Sequence, residues 1–121
     1  MKIENFKDLE VWKNAVKLSK MIYSSTKEFP KEELYGLTNQ MRRASVSIAS
    51  NIAEGKDRQS TNEYIHFLHI AKGSCAELET QTIISAELNY LSVEVKEELL
   101  DKIDHIKRML INLIKGLKAY K

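Results

Sequence analysis

Glu63-Tyr64-Ile65-His66 sets a carboxylate and an imidazole three residues apart, the spacing at which ferritin-like helix bundles hold metal. Such a centre needs a second Glu-x-x-His pair and two further inward carboxylates, and the sequence has no second pair. His66 also lies far round the helical wheel from the stripe Tyr64, Leu68, Ala71, which predicts an exposed ring. His69 and His105 read as surface groups, and Asp101, Asp104 and His105 are spaced like a solvated helix face. Cys75, the sole cysteine, falls on an apolar stripe, where a free thiol behaves as a small hydrophobe. Neither Cys75 nor any serine shows the base and orienting group that nucleophilic catalysis requires. The stretch GKDRQS lacks the first glycine and the Gly-Lys-Ser/Thr ending of a phosphate loop. Trp12 and Tyr23 stand at helical spacing and read as core rather than as a stacking platform. No metal, no cofactor and no enzymatic activity are expected.

Basic residues remain as the chemistry-bearing groups. From His105 onward the chain has Lys107, Arg108, Lys115, Lys118 and Lys121 and no acid. Lysines near a helix C-terminus also suit the helix macrodipole. As phosphate ligands the candidates are Lys107, Arg108, Lys115 and Lys118, read as having no acidic neighbour to neutralise them, with Lys56 and Arg58 in a loop either side of Asp57. No base-reading motif accompanies them, so any contact with RNA or DNA should be directed to phosphates. The formal net charge of +2 is too small to demand a polyanion. Repeated around an oligomer, even a modest patch sums to a large field.

The elements that must position these groups are helices. At 121 residues the chain is expected to be one domain, large enough to bury a core without disulfide or metal staples. Hydrophobic residues at 43% and charged residues at 30% exclude disorder, and four glycines with one proline disfavour a hairpin-rich β fold. The N-terminus has no apolar signal segment. No stretch approaches about 18 uninterrupted apolar residues. With the single unpaired cysteine, this points to the cytoplasm and away from membranes. Breaks fall at Phe29-Pro30, at 55–60 and at 89–92, which predicts helices over about 7–27, 38–54, 61–88 and 93–118. Thr38 is the expected cap of the second helix and Gly55 its C-terminal stop. Ser60-Thr61-Asn62-Glu63 is a capping box, and Ser92 should cap the fourth helix. On the first helix Leu9, Trp12, Val16, Ser19 and Tyr23 form one stripe, and Val11, Ala15, Leu18 and Ile22 another. On the fourth, Leu99, Ile103, Ile106, Leu110, Leu113 and Leu117 keep a heptad alternation, which favours crossing angles of roughly 20°. Short connections make neighbours antiparallel. The fold class is all-α: an up-down-up-down four-helix bundle.

The second helix, QMRRASVSIASNIAEG, combines an arginine pair with many small residues. Met41, Ala44, Ile48 and Ile52 make its core stripe, while Gln40, Arg43, Ser47, Asn51 and Glu54 line another side. Small side chains allow close backbone approach, and the polar groups between them should hydrogen-bond across the contact. Antiparallel pairing about the 56–59 turn brings Arg43 near Gly73 and within a turn of Glu77, so Arg43 is expected to contact Glu77 or a polar group of the Gln40, Ser47, Asn51 stripe, within the subunit or across an interface. The double stripe of the first helix and the small-residue face of the second leave more apolar surface than one bundle buries, which predicts a homo-oligomer.

Phe6, Leu9, Trp12, Tyr23, Phe29-Pro30, Gln40, Arg42-Arg43-Ala44, Ser47-Ile48, Asn51-Ile52-Ala53-Glu54-Gly55, Ala71, Gly73-Ser74 and Glu77-Leu78 together resemble one family over nearly the whole chain. It is the bacterial four-helix-bundle family encoded in intervening sequences of 23S ribosomal RNA genes. The resemblance implies a homopentamer. It also implies kinship with the accessory proteins of diversity-generating retroelements, basic pentameric barrels that bind nucleic acid. Two functional readings follow: a non-enzymatic oligomer that binds RNA or DNA through basic residues, and a structural or protein-interaction module that binds no nucleic acid.

Overall fold

The computed structural model describes residues 5–120, and Lys121 lies outside them. Four α-helices, α1 Glu10–Ser25, α2 Asn39–Lys56, α3 Thr61–Glu87 and α4 Val93–Ala119, account for the architecture, with no strand among the described residues. Each packs on its sequence neighbour, and α1 also packs on α4, which closes the bundle. The core is the set of stripes read from periodicity: Leu18 and Ile22 of α1, Met41, Ile48 and Ile52 of α2, Leu68 and Leu78 of α3, and Leu99, Ile103, Ile106 and Leu110 of α4 are all fully buried.

The caps at Ser60 and Ser92 form as expected: their hydroxyls accept hydrogen bonds from the Glu63 and Val95 amides, at 3.1 Å each. Beyond the end of α3, Asn89 adopts the left-handed conformation (φ 64°), while the Tyr90 amide bonds back to the Ser85 carbonyl at 2.9 Å. On α4 the buried position after Leu110 is Ile114, and Leu113 and Leu117 are only partly covered. A straight helix drifts against a strict heptad, so the stripe steps over by one residue.

Three local expectations are corrected. The first helix is shorter than 7–27: a 3-10 turn at Phe6–Asp8 precedes it, and Leu9 between them is extended. Thr38 does not cap α2. It is already helical, inside a π-type turn over Leu34–Thr38 that breaks at Gly36; Glu33 caps that turn, and α2 itself has no side-chain cap. Glu33 Oε1 accepts from the Leu37 amide (3.2 Å) and Oε2 from the Tyr90 hydroxyl (3.0 Å), tying the α1–α2 connection to the α3–α4 turn. That hydrogen bond, with some loss of solvent, holds the Tyr90 phenol above its ordinary pKa. Finally, Gly55 is no helix stop: α2 continues through it to Lys56.

On α1 the stripe Val11, Ala15, Leu18, Ile22 is buried throughout, whereas the stripe Leu9, Trp12, Val16, Ser19, Tyr23 is only half a core. Trp12 is partly buried and meets Phe6 edge-on, with ring centroids 5.3 Å apart, whereas Val16 and Tyr23 are exposed. Tyr23 instead carries the guanidinium of Arg42 over its ring, 4.7 Å from the centroid. Arg42 Nε donates to Thr26 Oγ1 (3.0 Å) and Nη2 to the Tyr23 carbonyl (3.4 Å), so the first arginine of the pair closes the C-terminal end of α1.

Cys75 is fully buried in α3 and burial pushes its thiol up to about 11. Its unfolded value is near 9.0, so the folded state loses stability as pH rises from 9.0 through 11. The expected result is a native thiol inert to alkylating reagents at neutral pH, with labelling that follows global unfolding in denaturant. Rapid labelling of the native protein would show the α3 face opening on its own.

Candidate functional site

The small residues of α2 resolve into seams with its neighbours. Ser45, fully buried, faces Ser19 of α1 with hydroxyls 3.0 Å apart and donates to the Arg42 carbonyl at 2.8 Å. Ser47 faces Ser74 of α3 at 2.9 Å, and Asn51 Nδ2 donates to the Ser47 carbonyl and hydroxyl at 2.8 and 3.0 Å. At the end of the α2–α3 seam Gly55 is buried. A Cβ there would stand 2.8 Å from Phe67 Cβ and 3.2 Å from the Tyr64 carbonyl oxygen. Serine and glycine let the two backbones close up, and hydroxyl pairs satisfy the polar atoms this buries.

Above the seam opens a polar cleft of about 520 Å³, walled by Gln40, Arg43 and Ser47 of α2 and by Glu77 and Gln81 of α3. Tyr35, almost wholly exposed, stands at its lip. Arg43 and Glu77 are thus brought to one place, as the antiparallel pairing required. Within one chain the expected contact with Glu77 does not form: both side chains are exposed, and no ion pair joins them among the described residues. Arg43 points along the outer edge of α2, whereas Arg42, one residue earlier and about 100° round the helix, takes the inter-helix contact. Gly73 lies on the outer face of α3 with nothing within 4 Å of a would-be Cβ.

The basic candidates separate into two groups. Arg58 is neutralised: its Nη2 lies 2.7 Å from Glu54 Oε1, its Nη1 reaches Glu63 at 4.0 Å, and its guanidinium covers the Phe67 ring. Lys56 lies over Tyr64. Lys107 pairs with Glu79 of α3 at 3.9 Å, and Arg108 pairs with Asp104 one turn back. The reading that Lys107 and Arg108 have no acidic neighbour is therefore corrected. It looked only forward along the chain, while the acids lie across the α3–α4 seam and one turn earlier. Lys115 and Lys118 are exposed and make no ion pair among the described residues.

Sequence reasoning missed what joins them. The last turns of α4 lie beside the first turns of α3, which carry His66, His69 and Lys72. Partial loss of solvent, then the nearby charges of Lys72, Lys118 and His66, hold the His69 imidazole below its ordinary pKa. The signal was available as the i, i+3, i+6 spacing of His66, His69 and Lys72 on one helix face. Among the described residues no group of three or more His, Cys, Asp or Glu could hold a metal ion, and no helix is long and apolar enough to cross a membrane.

The profile of the 23S rRNA-intervening sequence protein family matches residues 7–112. The chain belongs to that family. The family span covers α1, α2, α3 and most of α4, hence the whole α2–α3 seam and cleft, but it stops short of Lys115 and Lys118. Among solved structures, the chain is similar to a protein of unknown function from the S23 ribosomal protein family of Bacteroides thetaiotaomicron. The TM-score is 0.79 at 24% identity, with 87% of this chain and 98% of that chain covered. At that identity the likeness speaks for the four-helix fold. No curated protein matches the chain.

Proposed function

We propose that this family member is a non-enzymatic homo-oligomer, a pentamer as the resemblance implies, that binds RNA or DNA by phosphate contacts at one end of its bundle. The observation that carries the reading is the segregation of charge along α4. Its first half holds Glu94, Glu97, Glu98, Asp101 and Asp104 against Lys96 and Lys102, and its second half holds Lys107, Arg108, Lys115 and Lys118 with no acid. Antiparallel packing then sets Lys115 and Lys118 beside His66, His69 and Lys72, and the charges of Lys72, Lys118 and His66 add to lost solvent in lowering the His69 pKa. A chain of net charge +2 thereby gathers Lys72, Lys115 and Lys118 along one stretch of the α3–α4 face. Of the six basic candidates, Lys115 and Lys118 rank first, because a cation that already has an anion must give it up to take a phosphate.

Gel-shift titration of labelled single-stranded RNA and DNA over a salt series is the test. Binding should weaken steeply with salt and differ little between sequences. Lys115→Gln with Lys118→Gln should weaken it for all sequences alike and reduce the salt slope by nearly one unit per lost phosphate contact. Binding should also strengthen on acidification as the imidazole of His69, held low in the free protein, takes up a proton beside the phosphate, and His69→Ala should reduce that gain. Absence of any shift at low salt, where electrostatic binding is strongest, leaves the alternative: a structural or protein-interaction module, favoured by the apolar outer face of α3.

A further inference from the structure

The α2–α3 cleft is polarised across its width. On the α2 wall Arg43 stands one turn from Asn39 and Gln40, which gathers N–H donors around one cation. On the α3 wall Glu77 and Gln81, also one turn apart, gather acceptors around one anion. The two charges do not neutralise each other, and neither has an ion-pair partner elsewhere among the described residues. Gln81 keeps a buried Oε1 without a hydrogen-bond partner among the described residues, an acceptor whose lost hydration nothing in the chain offsets. At about 520 Å³ the cleft falls within the roughly 300–1,000 Å³ of small-molecule sites. A second trough of about 430 Å³ shares Gln40, Glu77 and Gln81 with it and continues over Ala76, Thr80 and Ile84. That trough is mainly apolar, and Ile84 in it is 44% exposed.

We propose that this cleft binds a small zwitterion, a free α-amino acid with an apolar side chain: Arg43 takes its carboxylate, Glu77 and Gln81 take its ammonium, and the trough takes its side chain. The arrangement of charge selects the class. A ligand that answers both walls must carry an anion and a cation close together. A nucleic acid offers Glu77 nothing but repulsion, and a polyamine offers Arg43 the same. The guanidinium suits a carboxylate because its planar fork can donate twice to the two oxygens. An ammonium has three donors, enough for the Glu77 carboxylate and the orphaned Gln81 Oε1 together. Because the polar cleft runs into the apolar trough past shared residues, a head group bound in the first directs its side chain into the second. The site is separate from the Lys115 and Lys118 patch, which adjoins the first turns of α3, whereas Glu77 and Gln81 lie in the second half of that helix. It therefore stands or falls independently of the nucleic-acid reading.

Titration of the full chain with L-leucine, L-valine and L-phenylalanine, followed by calorimetry and by amide NMR shifts, tests this. At least one should bind with a Kd of about 1 mM or tighter, and the shifts should centre on residues 39–47 and 76–84. For the amino acid that binds, two analogues each lack one charge: the N-acetyl derivative has no ammonium and the amide has no carboxylate. Each should bind at least about tenfold more weakly, and so should glycine, which has no side chain for the trough. Arg43→Ala should bind the amino acid and its amide alike, and Glu77→Gln should bind it and its N-acetyl derivative alike. Both residues are exposed, so both variants should keep wild-type helicity by circular dichroism. No binding of any of the three at about 10 mM overturns the site, as do shifts that centre elsewhere. Analogues that bind as tightly as the parent overturn the zwitterion. Wild-type preferences that survive both substitutions overturn the roles of Arg43 and Glu77.

Discussion

Gly55→Ala is expected to destabilise the fold by about 2 kcal/mol, although alanine normally improves a helix interior by roughly 0.5–1 kcal/mol over glycine. The reversal comes from the α2–α3 contact. The added Cβ would lie 2.8 Å from Phe67 Cβ, an atom fixed to its own backbone, so relief requires the two helices to move apart rather than a side chain to rotate. Separation would also stretch the Ser47–Ser74 hydroxyl pair farther along the same seam, now 2.9 Å. Gly73 provides the control. It sits on the neighbouring helix, exposed, with nothing within 4 Å of a new Cβ, so Gly73→Ala should raise stability by about 0.5–1 kcal/mol. Urea denaturation of both variants at one protein concentration measures the pair, concentration being held because any assembly adds to apparent stability. Two changes of the same sign would show that helix propensity decides, and that the close approach at Gly55 does not.

Arg42→Ala should cost about 2 kcal/mol. The guanidinium donates to Thr26 Oγ1 at 3.0 Å and to the Tyr23 carbonyl at 3.4 Å, charge-assisted contacts that typically contribute roughly 1.5–3 kcal/mol. It also stacks over Tyr23, worth roughly 0.5–1 kcal/mol at an exposed site. Arg42→Lys should recover only part of the loss, because an ammonium lacks the planar fork that reaches both acceptors and the ring. Arg43→Ala, one residue on, should change monomer stability by less than about 0.5 kcal/mol, since its exposed side chain makes no ion pair among the described residues. The larger figure that a buried Arg43–Glu77 pair would carry does not apply to an exposed one. Equal losses for the two arginines in denaturant melts would contradict this division of labour.

The four helices, their core stripes, the caps at Ser60 and Ser92 and the pairing order were legible because each depends on residues close together in the chain. Helical periodicity is a property of neighbours three and four apart, and a serine cap reaches an amide three residues on. The same locality explains why the absence of an ion pair at Lys115 and Lys118 was legible: no acid follows or precedes them within reach. Even the presence of close-packing residues in α2 was visible as composition. What each of them packs against was not. Which of Arg42 and Arg43 turns inward, which serine of α2 meets α1 and which meets α3, and whether Lys107 finds Glu79 all depend on the rotation and axial register of one helix against another. Those are set by how whole side-chain surfaces interdigitate, a shift of a few ångströms being enough to exchange one partner for the next. Gly55 carries the lesson in one residue. Its place at the end of an apolar helix made it look like a stop. The tertiary structure made it a point of contact, because only there does the chain bring Phe67 and Tyr64 too close to admit a Cβ.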